Sequence, residues 1–256
     1  MAFITCNCHS GILGKAISMN LIIPQQESGK ERRVMYLLHG LSDDHTMWCR
    51  RTSIERYADK FNMTVVMPDG GRSFYTDALN GDNYWTFISE ELPEIIKELF
   101  KLDPARENSF AAGLSMGGYG ALKLGLRKPE RFAAVGGLSS VTDIEYRYQA
   151  EDSASWRPEF DRIFGGIPQL IPNGNDLFDL AEKAVASGRK LPRMISICGA
   201  DDFMIRDNRK FNDFMQKIAY PDFHCFERPG IHNWEFWDAH IAAVMDFFVN
   251  NQLPDR

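Results

Sequence analysis

The chain has 256 residues, of which 44% are hydrophobic and 25% are charged, and its formal net charge at pH 7 is -6. This composition suits a globular protein with a sizeable core, and the acidic balance argues against nucleic acid or an anionic membrane as the main partner. No apolar run approaches the roughly 18 residues that span a bilayer. The N-terminus shows no secretory signal, and five cysteines without disulfide-framework spacing favour reduced thiols and a cytoplasmic location.

Strands and helices alternate along almost the whole sequence, which predicts an α/β domain with a mostly parallel sheet and helices on both faces. In chain order we expect strands at 4–9, 16–23 and 33–38, a helix at 53–61, a strand at 63–67, a helix at 87–100, a strand from 109, a helix at 118–126, a strand at 132–138, a helix at 176–186, a strand at 193–198, a helix at 205–218, a strand at 223–227 and a closing helix at 234–248. The first two strands are expected to pair antiparallel at one edge. Residues 140–190 interrupt the alternation, and we interpret residues 1–256 as one domain that carries this insertion.

The strand that starts at 109 leads directly into Gly113-Leu-Ser115-Met-Gly117, a G-x-S-x-G pattern followed by a predicted helix. A serine between a parallel strand and a helix in this pattern sits on a sharp, strained turn that exposes its hydroxyl. The two glycines are needed because side chains there would collide across the turn. The pattern alone arises by chance in many proteins, but this context predicts Ser115 as a nucleophile.

A serine hydroxyl needs a base within hydrogen-bond reach and a carboxylate that orients the base. When the serine lies on such a turn, the expected chain order is Ser, then Asp or Glu, then His, each after a strand. Asp201 and Asp202 follow the strand at 193–198, where an aspartate could also serve as a helix cap. We choose Asp202 as the acid and keep Asp201 as the alternative.

The base is expected after the last strand. There Pro229-Gly230 forms a turn that delivers His232 immediately before the closing helix. His240 is a weaker candidate because it lies inside that helix. His232 is therefore predicted to be the general base.

Acyl transfer also requires hydrogen-bond donors aimed at the developing oxyanion. One is the backbone amide of Met116, which follows the predicted nucleophile. The other is expected from the loop after the strand at 33–38, where Gly40 lets the Leu41 amide turn inward. His39 is interpreted as a brace for this loop.

Three tryptophans, Trp48, Trp156 and Trp234, are candidates for substrate contact because they flank the oxyanion loop, the insertion and the predicted base. The alternative is that they belong to the core. Cys6-x-Cys8-His9 resembles part of a metal site, but no second ligand pair accompanies it, so no metal is expected. Residues 43–45 are interpreted as a solvated turn, and residues 50–51 as a surface arginine pair.

With these residues in place, the sequence resembles the esterase D-type branch of the α/β-hydrolases, and within it the bacterial tributyrin esterase group of short-chain carboxylesterases. The segments that carry the resemblance are YLLHGLS at 36–42, RTSIER at 51–56, VVMP at 65–68, YTD at 75–77, EELP at 90–93, AGLSMGGYG at 112–120, Cys198-Gly199, Asp202-Phe203, and His232 with Trp234 and Trp237. They occur in order over almost the full length. Residues 140–190 depart from the family pattern.

The resemblance implies an α/β-hydrolase fold in which residues 140–190 form a cap-like insertion. It implies hydrolysis of a small-molecule acyl ester by Ser115, His232 and Asp202, without a metal or an organic cofactor, in a chain that could form dimers or tetramers. Three alternatives stay open: an S-formylglutathione hydrolase-type thioesterase, an acyltransferase on the same scaffold, and a non-catalytic binding protein.

Overall fold

The computed structural model describes residues 1–25 and 32–254, and eight strands of this part of the chain form one sheet. The strands are β1 (Ala2–Ser10), β2 (Lys15–Ile23), β3 (Arg33–Leu38), β4 (Met63–Pro68), β5 (Ser109–Leu114), β6 (Ala134–Leu138), β7 (Arg193–Gly199) and β8 (Phe223–Arg228). Their order across the sheet is β1-β2-β4-β3-β5-β6-β7-β8. The pairs β1–β2 and β2–β4 are antiparallel, and every pair from β4–β3 to β7–β8 is parallel.

Helices lie on both faces of the sheet. They are α1 (Met47–Arg51), α2 (Ile54–Lys60), α3 (Tyr84–Thr86), α4 (Leu92–Phe100), α5 (Met116–Arg127), α6 (Ile144–Gln149), α7 (Arg157–Phe164), α8 (Leu177–Ala186), α9 (Ile205–Lys217) and α10 (Trp234–Asn250). Shorter turns of other helical types cover Phe87–Glu91, Arg106–Asn108, Glu151–Trp156 and Ile167–Gln169. Within the described residues, no helix has the length and apolar character that a membrane crossing needs.

Side chains of β3 alternate between two buried apolar layers, as expected for a strand covered on both sides. Val34 and Tyr36 pack in a layer with residues of α4, α5, α8 and α9. Met35 and Leu37 pack in the opposite layer with residues of α2 and α10. The predicted α/β-hydrolase architecture is therefore confirmed, and the strand bounds differ from the predicted ones by a few residues.

The helix predicted at 87–100 begins earlier and contains a wide π turn at Phe87–Glu91 ahead of α4. Pro93 explains part of this departure, because proline has no amide hydrogen to donate to the Ser89 carbonyl one turn back. Arg131 Nη1 donates to that carbonyl instead, at 2.6 Å. A side chain from another part of the chain thus completes the helix.

The insertion at 140–190 contains more helix than the sequence predicts, since only α8 was expected there. Asp143 caps α6 by accepting a hydrogen bond from the Tyr146 amide at 2.9 Å. Pro158 lies in the first turn of α7, where its missing amide hydrogen costs nothing. These helices have six and eight residues, too few for a clear apolar period in the sequence.

A buried ion pair joins the insertion to α9. Arg147 Nε and Nη2 donate to the two carboxylate oxygens of Asp207 at 2.6 and 3.0 Å. Arg147 Nη2 also donates to the Phe203 carbonyl at 2.8 Å. Both side chains are almost completely buried, so each charge depends on the other for compensation.

We expect Arg147→Met to lower the free energy of unfolding by about 3–5 kcal/mol, because it leaves the Asp207 carboxyl buried without its counter-charge. Arg147→Met combined with Asp207→Leu should recover most of the loss, since both charges are then absent. Urea denaturation measures these differences.

Arg209→Ala is the matched control for this experiment. Arg209 binds Glu227 with the same two-bond geometry, at 2.8 and 2.7 Å, but the pair is exposed. Loss of this pair should lower the free energy of unfolding by only about 0–1 kcal/mol. An equal loss for Arg147→Met and Arg209→Ala would contradict the expected role of burial.

Candidate active site

Ser115 lies on the turn between β5 and α5, with φ 52° and ψ -115°, a strained conformation for a residue other than glycine. Its amide donates to the Leu138 carbonyl at 2.8 Å, which anchors the turn to β6. A Cβ added at Gly113 would lie 2.4 Å from the Gly117 carbonyl group. Any side chain at this position would therefore push β5 and α5 apart.

His232 and Asp202 are joined directly. His232 Nδ1 lies 3.0 and 2.9 Å from the two carboxylate oxygens of Asp202. Because a carboxylate only accepts hydrogen bonds, Nδ1 carries the hydrogen and Nε2 is left available as a base. Asp201, the alternative acid, is exposed. The structure therefore pairs His232 with Asp202.

The surroundings of Asp202 favour its ionised form. Burial raises the pKa of the carboxyl, but the hydrogen bond and charge of His232, together with the Met204 amide, act more strongly in the opposite direction. The pKa therefore lies below its ordinary value. An ionised Asp202 can orient His232 and stabilise a positive imidazole.

Two aromatic rings hold the imidazole of His232 in place. The Phe203 ring centroid lies 4.4 Å away, and Trp237 contacts the imidazole edge-on at 4.9 Å. Trp237 is fixed in turn, because its Nε1 donates to Ser139 Oγ at 3.1 Å. The imidazole is therefore oriented by packing as well as by Asp202.

Ser115 and His232 line the same cavity, which has a volume of about 490 Å³. Its other lining residues are mainly apolar, among them Leu114, Val141 and Met204. In the described part of the chain, no hydrogen bond joins the Ser115 hydroxyl to His232. Such bonds are often long before substrate binds and tighten in the substrate complex.

The amides of Leu41 and Met116 also belong to residues that line this cavity. Neither amide donates to an acceptor within the described residues, so both are available for a substrate oxygen. The Gly40 carbonyl accepts hydrogen bonds from His39 Nδ1 at 2.8 Å and from the Asp43 amide at 3.2 Å. The Gly40 carbonyl and the Leu41 amide belong to the same planar peptide group and point in opposite directions. Hydrogen bonds that hold the carbonyl therefore also fix the direction of the amide.

His39 is buried, and its second nitrogen is used as well: Nε2 accepts a hydrogen bond from the Gly70 amide at 2.8 Å. The imidazole therefore joins the loop after β3 to the loop after β4. This placement agrees with the interpretation of His39 as a brace for the loop that carries Leu41.

Of the three tryptophans expected to contact substrate, Trp156 and Trp234 line the cavity. Trp48 does not, which corrects that expectation. It is buried behind the wall, where its Nε1 donates to the Leu38 carbonyl at 3.1 Å and its ring packs edge-on against Trp234. It supports the site from the core.

Other candidate residues lie as follows. His240 packs on Phe236 in α10, outside the cavity lining, and burial lowers the pKa of its imidazole. Cys6 and Cys8 have free thiols on β1. Arg51 is exposed, as expected for a surface arginine, but it also lines the cavity.

Phe203, Trp237 and Arg72 were not predicted from the sequence to be site residues. All three line the cavity. Phe203 and Trp237 could have been found by their closeness to Asp202 and His232 in the sequence. Arg72 carries no such signal, because it enters the site on a loop after β4.

Comparisons with known proteins found similarity in both sequence and structure. A family model described as "Putative esterase" matches residues 10–248. An acetyl esterase from Caldicellulosiruptor saccharolyticus is 29% identical over 265 residues, covering 96% of this chain and 98% of that protein. The solved structure of FphF, a fluorophosphonate-binding serine hydrolase from Staphylococcus aureus, is 32% identical with a TM-score of 0.88, covering 97% of this chain and 98% of that chain.

A second solved structure, the S-formylglutathione hydrolase FrmB from Staphylococcus aureus, is also 32% identical. Its TM-score is 0.86, and the match covers 97% of this chain and 99% of that chain. The chain is thus similar both to a protein named as an acetyl esterase and to one named as an S-formylglutathione hydrolase.

The role of His39 can be tested with His39→Leu, which removes the donor to the Gly40 carbonyl. We expect kcat for a chromogenic short-chain ester to fall about 10- to 100-fold if the Leu41 amide is an oxyanion donor, because a misdirected amide would stabilise the oxyanion less. KM should change little. The matched control is His240→Leu, a half-buried histidine outside the cavity. A folded His39→Leu protein with wild-type kcat would refute the expected role.

Proposed function

The chain belongs to the esterase family and is a carboxylic ester hydrolase; on that premise, we propose that it cleaves short-chain acyl esters through Ser115, His232 and Asp202. The observation that carries the proposal is the pairing of His232 Nδ1 with both oxygens of Asp202 beside a cavity that also exposes Ser115. This pairing leaves His232 Nε2 as the base.

In the first half of the reaction, His232 takes the proton of the Ser115 hydroxyl while Ser115 Oγ attacks the ester carbonyl. The negative charge of the tetrahedral intermediate lies on the former carbonyl oxygen, within reach of the Leu41 and Met116 amides. His232 then returns the proton to the leaving alcohol, and the acyl group stays on Ser115. Asp202 stabilises the positive imidazole throughout.

In the second half, water enters and His232 removes its proton as the oxygen attacks the acyl-enzyme. The same two amides stabilise the second tetrahedral intermediate. Collapse releases the carboxylic acid and restores the Ser115 hydroxyl. The proposed reaction steps use only this chain, the ester and water.

A second candidate substrate class is a thioester of a small thiol. The similarity to FrmB, a protein named for S-formylglutathione, favours this class specifically. The same residues would act, with a thiol as the leaving group.

An acyltransferase would differ from a hydrolase only in the acceptor, which would be an alcohol or a sugar in place of water. Analysis of the products with such an acceptor present separates acyl transfer from hydrolysis.

We also propose a cytoplasmic location, which the free thiols of all five cysteines support. One of them, Cys198, is buried, and burial is the main cause that raises the pKa of its thiol. Such a thiol is poorly reactive toward oxidants.

We expect Ser115→Ala to lower kcat by about 10⁴-fold or more, the scale on which removal of a catalytic serine acts. A fluorophosphonate probe should label the wild-type protein at Ser115 and leave the variant unlabelled. Circular dichroism and thermal unfolding serve as the control for an intact fold. An active or labelled Ser115→Ala protein would reject the assignment.

The acyl-length preference can be measured with p-nitrophenyl esters from acetate to laurate. We expect kcat/KM to be highest for short chains and to fall for longer ones, since Trp156 and Trp234 restrict a cavity of about 490 Å³. S-acyl glutathione esters of equal acyl length form the matched thioester series. A preference for long acyl chains would contradict the proposed substrate class.

A further inference from the structure

Arg72 lies on the loop after β4, and its guanidinium connects two other segments at the cavity wall. Nε and Nη2 donate to the two carboxylate oxygens of Glu159 in α7 at 2.8 and 2.6 Å. The remaining nitrogen, Nη1, donates to the Leu41 carbonyl at 3.4 Å. One side chain therefore joins the insertion to the loop that carries a candidate oxyanion donor.

The bond from Arg72 complements the one from His39. Leu41 lies between two peptide groups, and His39 holds the carbonyl of the preceding one. Arg72 holds the carbonyl of the following one. Because each peptide group is planar, restraining both limits rotation about the two backbone bonds of Leu41. The Leu41 amide belongs to the preceding peptide group, so its direction relative to the following peptide group depends on that rotation.

Helix α7 gives Arg72 a fixed partner. Phe160 and Phe164 of this helix pack against Phe74, with ring centroids 5.4 Å apart in both cases. Phe74 is buried, and its amide contacts the sulfur of Met116 at 3.3 Å. Glu159 is thus presented by a helix that the core itself holds in position.

We propose that Arg72 is a positioning residue: paired with Glu159, it holds Leu41 so that the Leu41 amide stays directed at the oxyanion. The proposal rests on the ester hydrolysis proposed above and adds a residue to it. It also makes the insertion part of the catalytic geometry as well as a wall of the cavity.

The exposure of the pair distinguishes this role from a structural one. The Arg72 side chain is 48% exposed and the Glu159 side chain 22% exposed. Ion pairs this accessible to water contribute little to the free energy of unfolding. Loss of the pair should therefore change turnover much more than thermal stability.

The experiment compares Arg72→Ala, Arg72→Lys and Glu159→Gln with the wild-type protein. It measures kcat and KM for p-nitrophenyl acetate, the rate of fluorophosphonate labelling at Ser115, and thermal unfolding. For Arg72→Ala we expect kcat and the labelling rate to fall about tenfold, less than the loss of an oxyanion donor causes. KM and the unfolding temperature should stay near wild type.

The conservative variants should give intermediate losses. Lysine offers a point charge that can bond Glu159 or the Leu41 carbonyl but lacks the planar fork that serves both. Glu159→Gln keeps Arg72 and weakens its anchor, together with the longer contact of 3.8 Å between Glu159 and Arg162. Arg209→Ala is again the control, because it removes an arginine of the same two-bond geometry that does not line the cavity, and it should leave all readouts unchanged.

A charge exchange, Arg72→Glu with Glu159→Arg, separates two explanations. It restores an ion pair between the loop and α7 but places no donor at position 72 for the Leu41 carbonyl. If Arg72 acts through Leu41, kcat should remain low in this double variant. Full recovery would overturn the proposal, because anchoring of α7 would then be sufficient.

Two further outcomes would overturn it: a wild-type kcat in Arg72→Ala, or a raised KM with unchanged kcat, which would make Arg72 a substrate-binding residue. Failure of the proposed function is recognised separately. In that case the wild-type protein itself would neither hydrolyse the ester nor be labelled at Ser115.

Discussion

The close approach of β5 and α5 is the constraint on which the rest of the site depends. Contact between Gly113 and Gly117 brings the strand and the helix together so tightly that no side chain fits between them. Ser115 is left on the strained turn, at the carboxyl end of a central strand. The parallel strands β3, β7 and β8 end at the same edge of the sheet, so the loops that follow them meet around that serine.

The sequence was sufficient to predict the features that follow from this constraint. An apolar strand, two glycines and a helix locate Ser115. The alternation of strands and helices predicts a parallel sheet, in which an acid and a base are expected after later strands. The pairing of Asp202 with His232, and the exposure of Asp201, agree with that reasoning. These predictions used local patterns and their order along the chain, and the family resemblance implied the same acid and base.

What the sequence did not reveal depends on contacts between distant residues. Trp48 lies near the loop that carries Leu41 in the sequence, yet its indole is buried in the core, where its Nε1 donates to the Leu38 carbonyl. Helices α6 and α7 are short, and α7 is held by aromatic packing on Phe74. Arg72 belongs to no motif, and its partners lie 31 and 87 positions away. Local periodicity contains no information about such pairs.

The hydrogen bond from Arg131 to the Ser89 carbonyl has a consequence for the order in which the chain matures. Pro93 has no amide hydrogen to donate to the Ser89 carbonyl. The side chain that donates to this carbonyl, Arg131, lies 42 residues later in the sequence. In the growing chain, Arg131 is therefore synthesised well after the carbonyl that it binds. Ser115 lies between the two partners in the sequence, so the nucleophile turn has already been synthesised when Arg131 can bind the π turn ahead of α4.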